Sequence, residues 1–442
     1  MKYISNAIDK YKDLILEAER WIWKNPETGY KEYKTSAYMQ QKFESLGYKL
    51  TLADGITGFY TVIDTGKPGP EVLILGELDS IICPAHKDAD PETGAVHSCG
   101  HNAQCAALLG VAAALTEKEV LENLCGKIRL CAVPAEELLE IGYRTELRKK
   151  GIIKYYGGKS EFLSRGYFDG VDLAFMVHTA SSYNVKKGSN GCLAKSIIYK
   201  GQASHAGGSP WDGINALYAA TCGINAVNAI RETFKEPDKI RFHPIITKGG
   251  DMVNAIPETV VIESYVRGTN FDAMVEENKK VNRALIGAAL SIGANVEILD
   301  LPGYAPHVND DNMIQLSIDA VKIALPDVDF KVSTEMGGGS TDMGDLSCIM
   351  PIVHPYAGGA RGKAHGNDYE IVDPIAACVD CAKWQITMLT LLLKDGAERA
   401  NKIIKEFKPV FKSKEEFLAY QDAIFSEGDR IEYCDNEVKI RI

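Results

Sequence analysis

The stretch EVLILGELD, residues 71–79, carries four consecutive apolar residues, Val72, Leu73, Ile74 and Leu75. An alternating pattern would mark a strand with one wet face. An unbroken run between polar ends marks a strand covered on both faces, as in the middle of a parallel sheet. Moving outward, a helical pattern fills 102–115, and further strand-like runs occupy 127–133 and 171–177. Upstream, helical spacing covers 4–23 and 35–46, followed by strand-like runs at 50–53 and 57–64. Strands alternating with helices predict an α/β domain with a mostly parallel sheet and helices on both faces.

The pattern changes after residue 177. A strand at 192–200, a helix at 213–228, strands at 240–248 and 259–267, a helix at 271–290 and a strand at 295–299 follow in turn. That β-α-β-β-α-β order is the ferredoxin-like split unit, a complete small α+β domain. The α/β pattern then resumes, with a helix at 312–323, strands near 330–334 and 349–356, and a long helix at 374–395. The expected organisation is a discontinuous domain, 1–184 with 304–442, interrupted by an inserted domain at 185–303. The last thirty or so residues read as a helical appendix with a polar end.

Length and charge bound the function. At about 150 residues per domain, 442 residues allow two or three domains, and such a chain needs no disulfide or structural metal to bury a core. Lys and Arg number 49 and Asp and Glu 60, so the net charge of −11 disfavours nucleic acid and anionic membranes as partners. The longest alanine-rich apolar run, 105–115, is far shorter than the roughly 20 residues that span a bilayer. The opening MKYISNAIDKYKDLILEAERW alternates charge and apolar residues at helical spacing, unlike a signal peptide. A cytoplasmic location follows as the expectation, with the 11 scattered cysteines as reduced thiols.

Four segments carry chemistry. In HSCGHNAQ, 97–104, Cys99 and His101 flank Gly100 in the loop before the 102–115 helix. Ligands of open α/β sheets collect beyond the carboxyl ends of strands. A thiolate beside an imidazole suits a borderline-soft divalent metal, although a buried cysteine beside a capping histidine would look the same. In VPAEE, 133–137, Glu136 and Glu137 stand at a strand end. One can hold a metal while the other takes a proton from water; an acidic helix start is the alternative. His178 ends the 171–177 strand, as a ligand or a capped core residue. His365, in GGARGKAHGNDYE, lies in a glycine-rich loop. Against these, Cys378 and Cys381 form a C-x-x-C within an apolar helix, where thiols three apart share one face and pack in the core.

The order of HSCGHN, PAEE, the histidine after a strand, GQASHAGGSPWDGINAL, GGDMVNAIPE, GGGSTDMGDLS and AHG resembles the M20 metallopeptidase family, in its amidohydrolase branch. That branch holds auxin-conjugate, N-acyl-amino-acid and aminobenzoyl-glutamate hydrolases. The resemblance implies two divalent metal ions per chain, zinc or manganese, with cobalt as a further choice. Cys99, His101, Glu137, His178 and His365 would be the ligands and Glu136 the general base. Asp79 would orient a ligand or support the loop. The inserted domain would be a lid and a homodimer contact. His205 would meet the scissile carbonyl, and Asn254 and Arg267 the substrate carboxylate. The loop at 337–342 would bring backbone near the substrate, or be an ordinary turn. The implied reaction is cleavage of a small amide with a free carboxylate, an N-acyl amino acid or an aminobenzoyl-glutamate-like substrate. A metal-dependent dipeptidase on the same site is the alternative.

Two positions depart from the branch. Asn102 stands where many members carry Asp, and Leu75 where many carry Arg. GELD with GHN leans towards aminobenzoyl-glutamate and dipeptidase-like members. The segment 84–96 precedes the metal loop, at the border of an acyl pocket. Two other classes make distinct predictions. A thiol hydrolase using Cys99 as nucleophile would be sensitive to alkylation and indifferent to chelators. A binding protein on the same fold would hold a carboxylate ligand without turnover.

Overall fold

The computed structural model describes residues 2–442. Its main strands, in chain order, are β1 (Thr51–Leu52), β2 (Phe59–Asp64), β3 (Glu71–Glu77), β4 (Lys127–Val133), β5 (Leu173–Phe175), β6 (Gly191–Lys200), β7 (Arg241–Phe242), β8 (Ile245–Lys248), β9 (Thr259–Gly268), β10 (Asn295–Tyr304) and β11 (Ile352–Val353). The helices used below are α1 (Lys12–Trp23), α2 (His101–Ala114), α3 (Gly158–Ser164), α4 (Ala216–Ala229), α5 (Phe271–Ser291) and α6 (Cys381–Leu393). The chain divides into two compact units. One holds the chain up to Gly188, His307–Gly337 and Thr341–Lys414. The other holds Ser189–Pro306, Gly338–Ser340 and Glu415–Ile442.

The first unit is built on a six-stranded sheet in the order β1-β2-β4-β3-β5-β11. β4, β3, β5 and β11 run parallel, and β2 pairs antiparallel with β1 and β4. Every residue of β3 is buried, as its apolar run requires. Alternation along it assigns the two layers. Val72 and Ile74 enter the main core beside α2. Gly76 lies so close to α2 that a Cβ would stand 3.2 Å from Leu108. Glu77 turns the other way and meets Lys159 of α3. Helices therefore cover both faces, and the polar end of β3 falls where the two layers open.

α2 is buried along its whole length, packed by α1 and α6. Ile375–Leu393 is long and apolar enough to cross a bilayer, a property the alanine-rich run at 105–115 lacks; 72% of its apolar window is buried inside the protein. Cys378 and Cys381 sit on this segment, fully buried in the core. The single N-terminal helix expected at 4–23 is two, Lys2–Lys10 and α1, broken at Tyr11.

In the second unit the strands are all antiparallel, with β10 beside β6, β6 beside β9, and β9 beside β7 and β8. β9 alternates half-buried and buried residues along its length, the signature of a sheet with one covered face. α4 and α5 share the core of Leu193, Ile197, Val260, Ile262 and Leu285. The strand expected at 240–248 is split into β7 and β8 around Pro244, which has no N–H to give a ladder.

The C-terminal segment departs from the expected organisation. Residues 415–442 belong to the second unit and not with His307–Gly337 and Thr341–Lys414. After a helix, Lys414–Ile424, the chain runs along the outer edge of β10. Asp300 N–H donates to Ser426 O at 2.8 Å, Ser426 N–H to Asp300 O at 3.1 Å and Arg430 N–H to Val296 O at 2.9 Å. A hairpin, Ile431–Tyr433 with Val438–Ile440, ends the chain. The unpaired backbone of an edge strand is the cause: it accepts whatever chain can reach it.

Candidate metal centre

The carboxyl ends of β3, β4 and β5 converge, and each contributes side chains. β3 ends in Glu77, and Asp79 follows two residues later. The loop before α2 presents Cys99 and His101 across Gly100, whose φ is +92°. That left-handed conformation favours glycine. A Cβ there would also strike the Tyr369 hydroxyl, and would lie 3.1 Å from Thr179 Cβ.

After β4 the chain does not start a helix. Ala135 has φ +55°, and Glu136 and Glu137 lie in an irregular loop. Three buried groups hold that loop. Ala135 N–H donates to Glu32 Oε1 at 2.8 Å, Glu137 N–H to Asp79 Oδ2 at 2.7 Å, and Arg144 to the Glu137 carbonyl. His365 also has a positive φ, +64°, and its N–H donates to Ser98 O at 2.8 Å. Strained non-glycine backbone thus gathers at this site, where such strain is stored when the surroundings over-determine it.

The side chains meet in three overlapping groups, each with ligand atoms within 4.8 Å of one another: Cys99, His101 and His178; Cys99, Glu137 and His365; and Glu77, His101 and Glu136. Cys99 belongs to the first two, and His101 to the first and third. Its Sγ is 3.5 Å from His178 Nε2, and His365 Nε2 is 2.9 Å from Glu137 Oε1. His101 Nδ1 faces the Asp79 carbonyl at 2.9 Å and Asp79 Oδ1 at 3.3 Å, which leaves Nε2 turned into the site. Asp79 therefore holds a histidine with one group and the Glu137 backbone with another.

The electrostatics follow from burial and crowding. Burial and the Glu137 carboxylate push the Cys99 thiol up, but the imidazoles of His101 and His178 outweigh them and bring it down to about 6. Burial raises Glu137, and the His365 charge overcomes it to about 2. The same Glu137 lifts His365 to about 11. Burial, with repulsion from Glu77 and Glu137, holds Glu136 well above the usual carboxylate range. The two neighbouring carboxyls are thus pushed in opposite directions, a separation found in sites built for proton transfer. One thiolate, three imidazoles and a carboxylate suit a divalent metal of intermediate softness.

Three site residues lie in the second unit. His205 Nδ1 accepts from the backbone N–H groups of Gly207 at 3.2 Å and Gly208 at 2.8 Å, so its proton is on Nε2. Asn254 is adjacent, its carbonyl accepting from Ala206 N–H at 3.0 Å. Arg267 donates to His243 Nε2 at 3.1 Å and to Ser340 Oγ at 2.8 Å.

Other expectations can be placed. Asn102 donates to the buried Glu19 carboxylate at 2.8 Å, a partner that an aspartate could not give. Leu75 is core. The segment 84–96 docks through His86 Nε2 onto the Tyr369 carbonyl at 2.7 Å, just beyond His365. In the 337–342 loop, Asp342 is fully buried and paired with Lys159. Sequence reasoning passed over Glu77, Lys159 and Tyr369. The only signal for the first was its place two residues before Asp79.

A profile of peptidase family M20/M25/M40 matches residues 74–390. The chain belongs to this family, and it is a hydrolase of amide or peptide bonds. It is similar to the Xaa-Arg dipeptidase of Mus musculus, with 27% identity over 355 residues, 80% of this chain and 78% of that protein. It is also similar to one of the subunits of the p-aminobenzoyl-glutamate hydrolase of Escherichia coli, with 28% identity over 313 residues, 67% and 59% of the two chains. Among solved structures, the fold is shared with a dinuclear metal-binding M20 peptidase of Bacillus subtilis (TM-score 0.63, 19% identity, 87% and 99% of the two chains). It is shared too with an aminobenzoyl-glutamate utilization protein of Klebsiella pneumoniae (TM-score 0.67, 16% identity, 89% and 99%).

Proposed function

We propose that the protein is a binuclear metal-dependent amidohydrolase that splits an N-acyl amino acid or an aminobenzoyl-glutamate-like amide into acid and amine. One observation carries this reading: two ligand groups share Cys99, with Glu136 beside them. Cys99, His101 and His178 would hold one ion, and Cys99, Glu137 and His365 the other. Zinc or manganese suits this donor set, and cobalt can replace them. Bound there, such ions supply Lewis acidity to the scissile carbonyl and acidify a water. Glu136 takes the proton of the attacking water and returns it to the leaving amine. Asp79 keeps His101 oriented, as outer partners of metal-bound histidines do.

The second unit is read as the lid and homodimer contact. His205, with its proton fixed on Nε2, is a donor for the developing oxyanion, and Asn254 and Arg267 serve the substrate carboxylate. Exposed Ile245 and Ile246 on β8 support a contact with a second copy. A cytoplasmic enzyme acting on a small molecule is the setting this reading implies. The mouse relative's activity favours one alternative, a metal-dependent dipeptidase on the same site.

The test is a panel of N-acyl amino acids, aminobenzoyl-glutamate and dipeptides, assayed as purified, after chelation and after return of zinc or manganese. Activity should vanish on chelation and return with metal, and the preferred substrate separates the two readings. Turnover that survives complete removal of metal would overturn both.

A further inference from the structure

We propose that Glu77 is a direct metal ligand, its Oε2 completing the coordination of the ion held by Cys99, His101 and His178, while Lys159 fixes the carboxylate from behind. This rests on the two-metal reading above and adds a residue to it.

Glu77 is wholly buried at the end of β3. Its Oε1 takes the Lys159 ammonium at 2.5 Å, and Lys159, equally buried, also pairs with Asp342. Its Oε2 has no hydrogen-bond partner, although it is shut off from solvent. What Oε2 faces is His101 Nε2, 3.2 Å away and likewise without a hydrogen-bond partner. His101 turns its Nδ1 to two oxygens of Asp79, so Nε2 is the ring atom left facing Glu77 Oε2. A buried carboxylate oxygen and a buried ring nitrogen, neither with a hydrogen-bond partner, are a pair of donor atoms that one cation can serve, and with Glu136 they lie close enough together to ligate one.

The spacing suits a shared ion. Ligand bonds of about 2.0–2.2 Å at tetrahedral or right angles put neighbouring nitrogen and oxygen ligands roughly 3.0–3.4 Å apart. An orienting role for Glu77 fits less well. A carboxylate that merely orients a metal-bound histidine sits on the ring nitrogen away from the metal, and Asp79 already occupies that nitrogen. Glu136 Oε2 is farther from Nε2, at 3.8 Å. Lys159 thus anchors Glu77 beside His101, while Glu136, which shares a ligand group with both, stands farther from Nε2 and keeps the proton-transfer role.

The experiment compares wild type, Glu77→Gln and Glu77→Asp as full-length protein, with cobalt(II) as the probe. Stepwise affinities come from calorimetry, metal content from mass spectrometry and coordination from the visible absorption of bound cobalt. In Glu77→Gln, Lys159 keeps Asp342, so the fold should survive. The aspartate variant keeps the charge but withdraws the oxygen, and it decides the matter should the glutamine variant misfold. The expected result is a loss of tenfold to a hundredfold or more in the affinity of one ion only, with a changed cobalt spectrum. Unchanged affinities and spectrum in a folded variant overturn the proposal. A wild-type chain that binds a single ion overturns the two-metal reading instead, and the variants' effect on that ion still decides the role of Glu77.

Discussion

Cys99 is shared by the two groups proposed to hold the ions, and this makes its loss unlike that of His365, which belongs to one. Cys99→Ala should lower the affinity of both ions, whereas His365→Ala should affect one and leave the Cys99, His101 and His178 group intact. Metal content after dialysis, read per chain, distinguishes the two; equal losses in both variants would show that Cys99 is not shared. Glu136→Gln should keep both ions and lose about 10²- to 10⁴-fold in kcat, the usual share of a general acid–base group. An equal loss of bound metal would place Glu136 among the ligands. At this scale the sequence was readable where residue type is distinctive: a cysteine and histidines at strand ends stand out, and the structure brings them together. Glu77 and Lys159 were not readable. An acid in GELD and a lysine in GGKSEF look like surface charges, and only the folded β3 and α3 layers put them in contact.

The irregular 134–137 loop after β4 shows how an element holds its chemistry. Its backbone hangs on Glu32, which accepts from Ala135 N–H at 2.8 Å and from the Thr57 hydroxyl at 2.6 Å. Burial, with repulsion from Asp79, raises the Glu32 carboxyl to about 8. Its unfolded value lies near 4.5, so the folded state binds more protons between these limits. Stability should therefore fall as pH rises from about 4.5 to about 8, and the penalty is complete above that. Glu32→Gln removes the charge; its amide oxygen can still accept from Ala135 N–H, and its NH2 can donate to the Thr57 hydroxyl oxygen in place of accepting from it. Its melting temperature should change less between pH 5 and pH 8 than that of wild type, and thermal melts across that range check it. A parallel pH dependence in the two proteins would mean that Glu32 is ionised in the fold. Gly100→Ala probes the loop before α2, where the φ of +92° and the Tyr369 hydroxyl both oppose a side chain. A loss of about 1–3 kcal/mol is expected from the backbone alone. Strands and helices were legible here because their apolar periods are strong. The irregular 134–137 loop was not, since adjacent glutamates also begin helices and the group that unwinds them, Glu32, lies a hundred residues earlier.

At the scale of the whole chain, the second unit closes one edge of its sheet with the chain's own C-terminus. Residues 426–430 pair with β10 by backbone hydrogen bonds, and Arg430 Nη2 adds bonds to Ile298 O at 3.0 Å and Ser426 Oγ at 2.7 Å. Such pairing leaves little trace in sequence, because it uses backbone groups that every residue has. Position along the chain pointed instead to the first unit, to which His307–Gly337 and Thr341–Lys414 return. The two edges of this sheet are thus unlike: β10 is covered, while β8 presents Ile245 and Ile246 to solvent. A sheet open at both edges can add copies without end, and one closed at a single edge can pair only once. If two copies join through β8 as proposed, removing residues 426–442 should convert that pair into a broad distribution of larger assemblies, while the metal content of the first unit stays unchanged. Size-exclusion chromatography with light scattering reads the first and elemental analysis the second. A truncated protein with the mass distribution of the full chain would mean that the covered edge does not govern assembly, and that the tail serves only the stability of the second unit.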